Sequence, residues 1–194
     1  MFHLSFLKPK KQPRGFTIVE MLVAIAIILL FSSMTLASYT RFSGHITLDI
    51  LTHNVALTVR QAQAFALGGR RFNTVSPPYG IHIVRADKFF FTFYADVNSS
   101  NSYDDTAAEF FEKFTLPAGP SVSDLCVNNV NGGGTCGLLS LDILYKSPKP
   151  DAIICATTAG GTSCTGNSDA EIVMSNATGA ATVVAWKVGQ ISLK

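Results

Sequence analysis

The chain has 194 residues, 47% of them hydrophobic and only 14% charged. That is room for one compact domain with an appendage, and the composition excludes intrinsic disorder, which needs low hydrophobicity and high net charge. The net charge of +2 misleads: Lys8, Lys10, Lys11 and Arg14 all precede Gly15, leaving 11 of the 15 bases against all 13 acids in residues 16–194. Such a body lacks the clustered Lys and Arg that bind nucleic-acid backbones. Four cysteines without a CxxC pair, four scattered histidines and no Gly-Lys-Ser/Thr loop leave little material for a metal or nucleotide enzyme.

The first element begins at Phe16. Residues 21–31 are uninterrupted apolar, and across 16–39 the only formal charge is Glu20. These 24 residues exceed the ~20 that a helix needs to cross ~30 Å of hydrocarbon. The bases before them stay on the cytoplasmic side and send the body outward. A secretory signal peptide with Thr35-Leu36-Ala37 as its cleavage site, giving Ser38 as first residue, accounts for the apolar run. So does a plain membrane anchor. Neither gives Glu20 a role, although an acid at mid-membrane depth costs ~2.5–3.5 kcal/mol on insertion scales.

The order of a Lys-rich leader, Arg14-Gly15, Phe16-Thr17-Ile18-Val19-Glu20 and an apolar helix resembles the prepilin signature of type IV pilins and type II secretion pseudopilins. The resemblance implies a pilin-like fold, no catalytic residue and no resident metal. It implies a prepilin peptidase that cuts between Gly15 and Phe16 and methylates the new amine of Phe16. Glu20 then serves assembly by meeting the amine of a neighbouring Phe16. The implied partners are that peptidase, other pilins or pseudopilins in a filament, the inner-membrane assembly platform and, before assembly, membrane lipid. The protein is expected as a single-pass inner-membrane precursor with its C-terminal domain outside the cytoplasm, and later in a pilus or pseudopilus.

Beyond Tyr39 the pattern becomes amphipathic. Leu48, Leu51, Val55, Val59, Ala62 and Ala66 step by three and four, the stripe of a helix with one buried face. Asp49, Thr52, His53, Arg60 and Gln63 fill other positions. Gly68-Gly69 supplies a C-terminal cap, and Gly44 is a point where the helix is open to bending. Residues 49–67 followed by Gly-Gly-Arg-Arg-Phe are similar to the GspH/FimT-type minor pseudopilins.

Strands are expected at 79–84 and 88–95, a hairpin around Arg85-Ala86-Asp87, then at 112–116, 121–127, 138–145, 151–156, 170–175 and 181–193. Residues 97–108, 128–137 and 157–168 read as loops. The fold class is α+β, a long N-terminal helix packed on an antiparallel sheet. Its segments are a basic leader 1–15, a transmembrane or filament-core helix 16–39, an amphipathic helix 40–69 and a β-rich domain 70–194.

Cys126, Cys136, Cys155 and Cys164 allow three pairings. Neighbour pairing, 126 with 136 and 155 with 164, closes two short flexible loops, and an extracytoplasmic body permits oxidation; zinc ligation and free thiols stand as alternatives. Asp96 to Asp105 faintly resembles a calcium loop, without the glycine at position six or the glutamate at twelve (Asn101 and Ala107 stand there), and a hydrated turn-forming loop is the preferred reading. Of the histidines, His3 lies in the leader, His45 and His53 on the helix and His82 in a strand. Arg70, Arg71, Lys146, Lys149 and Lys187 read as scattered solvated charges, with a basic surface patch as the rival reading; a DNA-binding or adhesive subunit is the alternative function. DNA is the less favoured partner, and a secreted β-domain protein the least favoured reading.

Overall fold

The computed structural model describes residues 15–194, so the basic leader and His3 lie outside the described residues. The chain divides into two compact units, Met1–Thr40 and Arg41–Lys194. Among the described residues there is one helix, α1, Ile18–Leu67.

In the first unit every residue from Ile18 to Leu36 is apolar, small or hydroxylated except Glu20, and none of this 19-residue stretch is buried within the protein. Its hydroxyls are turned back onto the helix. Ser33 Oγ donates to the Leu30 carbonyl at 2.8 Å, and Thr35 Oγ1 to those of Phe31 and Ser32 at 3.2 and 2.9 Å. A helix that hides its hydroxyl donors in this way suits a medium without water.

In the second unit α1 buries Leu48, Leu51, Val55, Val59, Ala62 and Ala66, the stripe the spacing predicts. Thr52 and Thr58 are buried as well, which periodicity does not suggest. Their hydroxyls are satisfied by the carbonyls of Leu48 at 2.7 Å and Asn54 at 3.0 Å, four residues back. The helix ends in a Schellman arrangement: Arg70 N–H donates to Phe65 O at 3.0 Å and Gly69 N–H to Ala66 O at 3.2 Å. Gly69 takes the left-handed φ of 61° that this cap demands. Gly44 does not interrupt the helix.

Two antiparallel sheets face this helix, where the sequence suggests one. The first has six strands in the order β3-β2-β1-β6-β7-β8 and the second five, β11-β10-β9-β4-β5. The strands are β1 Tyr79–Val84, β2 Phe90–Ala95, β3 Phe110–Thr115, β4 Ser121–Val127, β5 Thr135–Cys136, β6 Ser140–Tyr145, β7 Ala152–Thr158, β8 Gly161–Ser163, β9 Asp169–Asn176, β10 Gly179–Trp186 and β11 Ile191–Leu193. One hydrophobic core joins them: Ile81, Phe93 and Ile143 of the first sheet, Leu125, Ile172 and Val183 of the second, and Val59 of the helix are all at most 1% exposed. At the end of α1 an aromatic cluster fixes the helix to the first sheet, with the Phe65 ring 5.6 Å from both Tyr79 and Phe93.

Two expectations need correction. The loops 128–137 and 157–168 each contain a short strand, β5 and β8; a disulfide crosses from β4 to β5, and another follows directly after β8. Residues 181–193 form two strands rather than one, because the chain reverses where Trp186 N–H donates to Gln190 O at 2.8 Å. The Arg70 guanidinium lies 4.0 Å above the Phe65 ring and 5.1 Å from that of Phe111, a cation–π contact with the aromatic cluster.

Candidate processing and assembly site

Gly15, Phe16 and Thr17 are non-helical, and the helix opens at Ile18. Thr17 is its N-cap: Thr17 Oγ1 accepts the N–H of Glu20 at 3.2 Å, and the Thr17 carbonyl accepts that of Met21 at 3.2 Å. Glu20 is therefore the third helical residue, and Thr17-Ile18-Val19-Glu20 has the spacing of a capping box. A carboxylate in the first turn is also favoured by the helix dipole. Sequence reasoning assigns Glu20 only an intermolecular role and overlooks Thr17; the threonine three residues before a glutamate was the available signal.

Phe16 is 77% exposed, and a Cβ placed on Gly15 would meet no atom within 4 Å. Among the described residues, nothing crowds a side chain at position 15. By contrast, Thr35, Leu36 and Ala37 are all helical, and the Thr35 hydroxyl is bonded back into the helix. The irregular, accessible backbone lies at Gly15–Thr17.

The four cysteines form two disulfides, Cys126–Cys136 and Cys155–Cys164. Cys126 and Cys136 face each other across β4 and β5, and Cys164 follows β8 opposite Cys155. Zinc ligation and free thiols are thereby replaced: Asp124 lies within metal-ligand range of Cys126 and Cys136, but both sulfurs are spent in the disulfide.

Asp96 and Asp104 spend oxygens within the Asp96–Asp105 loop. Asp96 is 1% exposed, its two oxygens accepting the N–H groups of Ser100 at 3.0 Å and Asn101 at 3.1 Å. Asn98 Nδ2 donates to Asp104 Oδ2 at 2.6 Å. These bonds fit the turn-forming reading, and the calcium reading draws no support from them.

Residues 10–36 match the family model described as the prokaryotic N-terminal methylation motif. This motif supports a type IV prepilin-like protein. The match takes in Gly15, Phe16, Thr17 and Glu20 together with the whole unburied apolar span. For a prepilin-like chain it implies processing by a prepilin peptidase and assembly with other pilins, and the apolar span fits a membrane-anchored protein. No curated protein and no solved structure matches the chain.

Proposed function

We propose that the chain is made as a prepilin, cut between Gly15 and Phe16, N-methylated at Phe16, and assembled as a minor subunit of a type IV pilus or type II secretion pseudopilus. The observation that carries this reading is the start of α1. A capped first turn with Glu20 opens a 19-residue apolar stretch, none of it buried among the described residues. A helix so exposed needs lipid before assembly and other helices after it. Cutting ahead of Phe16 keeps the helix on the mature protein, whereas cutting after Ala37 discards it.

The cut also creates a cationic amine four residues before Glu20. In a packed bundle of helices the amine of a neighbouring Phe16 supplies Glu20 with an opposite charge in a medium of low dielectric, where the attraction is strong. Residues 49–67 and the Gly68–Phe72 turn support the GspH/FimT-type assignment within this class. The second unit remains outside the cytoplasm and forms the surface of the filament or its tip.

The test is incorporation of wild type and Glu20→Val into sheared filaments at equal membrane levels. The variant is expected to be processed and retained in the membrane but largely missing from filaments. Equal incorporation removes the amine-pairing role from Glu20.

A further inference from the structure

One face of the first sheet carries a row of chemistry that assembly does not use. Directly opposed residues on neighbouring strands place Lys113 of β3, Thr92 of β2, His82 of β1, Asp142 of β6 and Cys155 of β7 side by side on the face away from α1. Asp142 is 1% exposed and holds the imidazole, its Oδ1 lying 2.7 Å from His82 Nδ1.

The loop between β2 and β3 folds over this row. Tyr103 N–H donates to Asp142 Oδ1 at 3.2 Å, and the Asn101 carbonyl oxygen rests 3.2 Å from Cys155 Sγ. The Tyr103 ring sits 5.3 Å from that of His82. Between loop and sheet a pocket of about 310 Å³ remains, floored by His82 and Thr92 and walled by Tyr103, Asp105, Phe90 and Lys113. That volume lies at the lower end of the size range of small-molecule sites, roughly 300–1,000 Å³.

We propose that this pocket binds a neutral saccharide, one or two sugar rings of a surface glycan. The Thr92 hydroxyl and the Lys113 ammonium offer donors, and Asp105, Asp87 and the free imidazole nitrogen of His82 offer acceptors. A polyhydroxylated ligand uses both kinds at once. The Tyr103 ring gives its C–H face an apolar surface. Charge argues for neutrality, since an anion would meet Asp87 and Asp105 and a cation would meet Lys113, already seated 3.6 Å above the Phe90 ring. Asp142 is a positioning residue: with its oxygen on Nδ1 it leaves the other imidazole nitrogen for the ligand. The proposal is independent of the filament reading, because every residue in it belongs to the second unit.

The test uses the full chain in a sugar-free zwitterionic detergent, with saturation-transfer and chemical-shift NMR against lactose, di-N-acetylchitobiose and digalacturonate. Saturable binding of a neutral disaccharide is expected, with shifts at His82, Thr92 and Tyr103. Thr92→Val, which keeps the strand and its volume, should weaken binding about 3–10-fold, the worth of one lost hydrogen bond. Lys146→Ala, in the turn after β6, should leave binding unchanged. Three results would each overturn the proposal: no binding of either neutral disaccharide, tighter binding of digalacturonate, or binding indifferent to both Thr92→Val and His82→Gln.

Discussion

The side-chain amide of Asn176 donates to the main-chain carbonyl of Gly44 at 2.7 Å, joining the β9–β10 turn to the middle of the helix. The same Asn176 accepts from Thr178 Oγ1 at 2.6 Å and from Thr178 N–H at 2.8 Å, so Thr178 is pinned. A Cβ on Gly44 would fall 2.6 Å from Thr178 Cγ2. The glycine that looks like a weak point in the helix is where the turn approaches it most closely.

Gly44→Ala should therefore destabilise the domain by about 1 kcal/mol or more, although alanine is worth about 1 kcal/mol over glycine in an open helix. Adding Thr178→Ser removes the clashing methyl and should recover most of the loss. Denaturant midpoints of the single and double variants decide this; a stabilised Gly44→Ala would show that the turn yields freely.

Tyr145 is fully buried, and its hydroxyl has no partner among the described residues. Burial pushes its phenol well above its ordinary value near 10, as it does that of Tyr94, where Asp142 and Asp96 add to the effect. The folded state keeps these protons where the unfolded chain gives them up. Their contribution is thus fully present below about pH 10 and is lost as pH rises beyond it. Tyr145→Phe should be neutral or stabilising by up to about 2 kcal/mol at pH 8, and should lose less stability between pH 8 and 10.5 than wild type. Urea unfolding at the two pH values measures both effects. A large loss at pH 8 would mean that the hydroxyl has a partner.

Each disulfide should contribute about 2.5–3 kcal/mol, from loops separated by 10 and 9 residues. The two lie in different sheets, so the paired Cys→Ala variants should be additive within about 0.5 kcal/mol. Guanidinium unfolding of both variants and their combination checks this. Strong non-additivity would mean that the loops act as one unit.

Much of the second unit is legible in the sequence because its elements obey one period each. The apolar stripe from Leu48 to Ala66 specifies a helix face. Runs such as Tyr79–Val84 and Ser121–Val127 are long enough to read as strands. The strands β5 and β8 are not legible: two or three residues amid Asn, Gly and Thr carry no pattern, and a cysteine opposite a cysteine holds them in place. The division into two sheets is equally hidden, since alternation looks the same in both. His82 and Asp142 are far apart in the chain, so only the register of β1 against β6 reveals the pair. Thr17 could have been read, three residues before Glu20.

The capped first turn leads to a separate expectation. Thr17→Val keeps the apolar run and the charge of Glu20 but removes the acceptor for the Glu20 N–H. Loss of such a cap costs about 0.5–2 kcal/mol of helix stability, so amide exchange at residues 18–21 should quicken, while exchange in the second unit stays unchanged. Thr17→Ser, which keeps the hydroxyl, should behave as wild type. Equal exchange in all three proteins would remove the capping role.

If the proposed cut falls before Phe16, the mature chain keeps the apolar helix and opens at its N-terminus. Intact-mass and N-terminal peptide analysis of the protein from membranes and sheared filaments tests it most directly. A mature chain that begins at Phe16 with a methylated amine is expected, and an accumulated precursor for Gly15→Leu. A chain that begins at Met1 or at Ser38 in those fractions would contradict it.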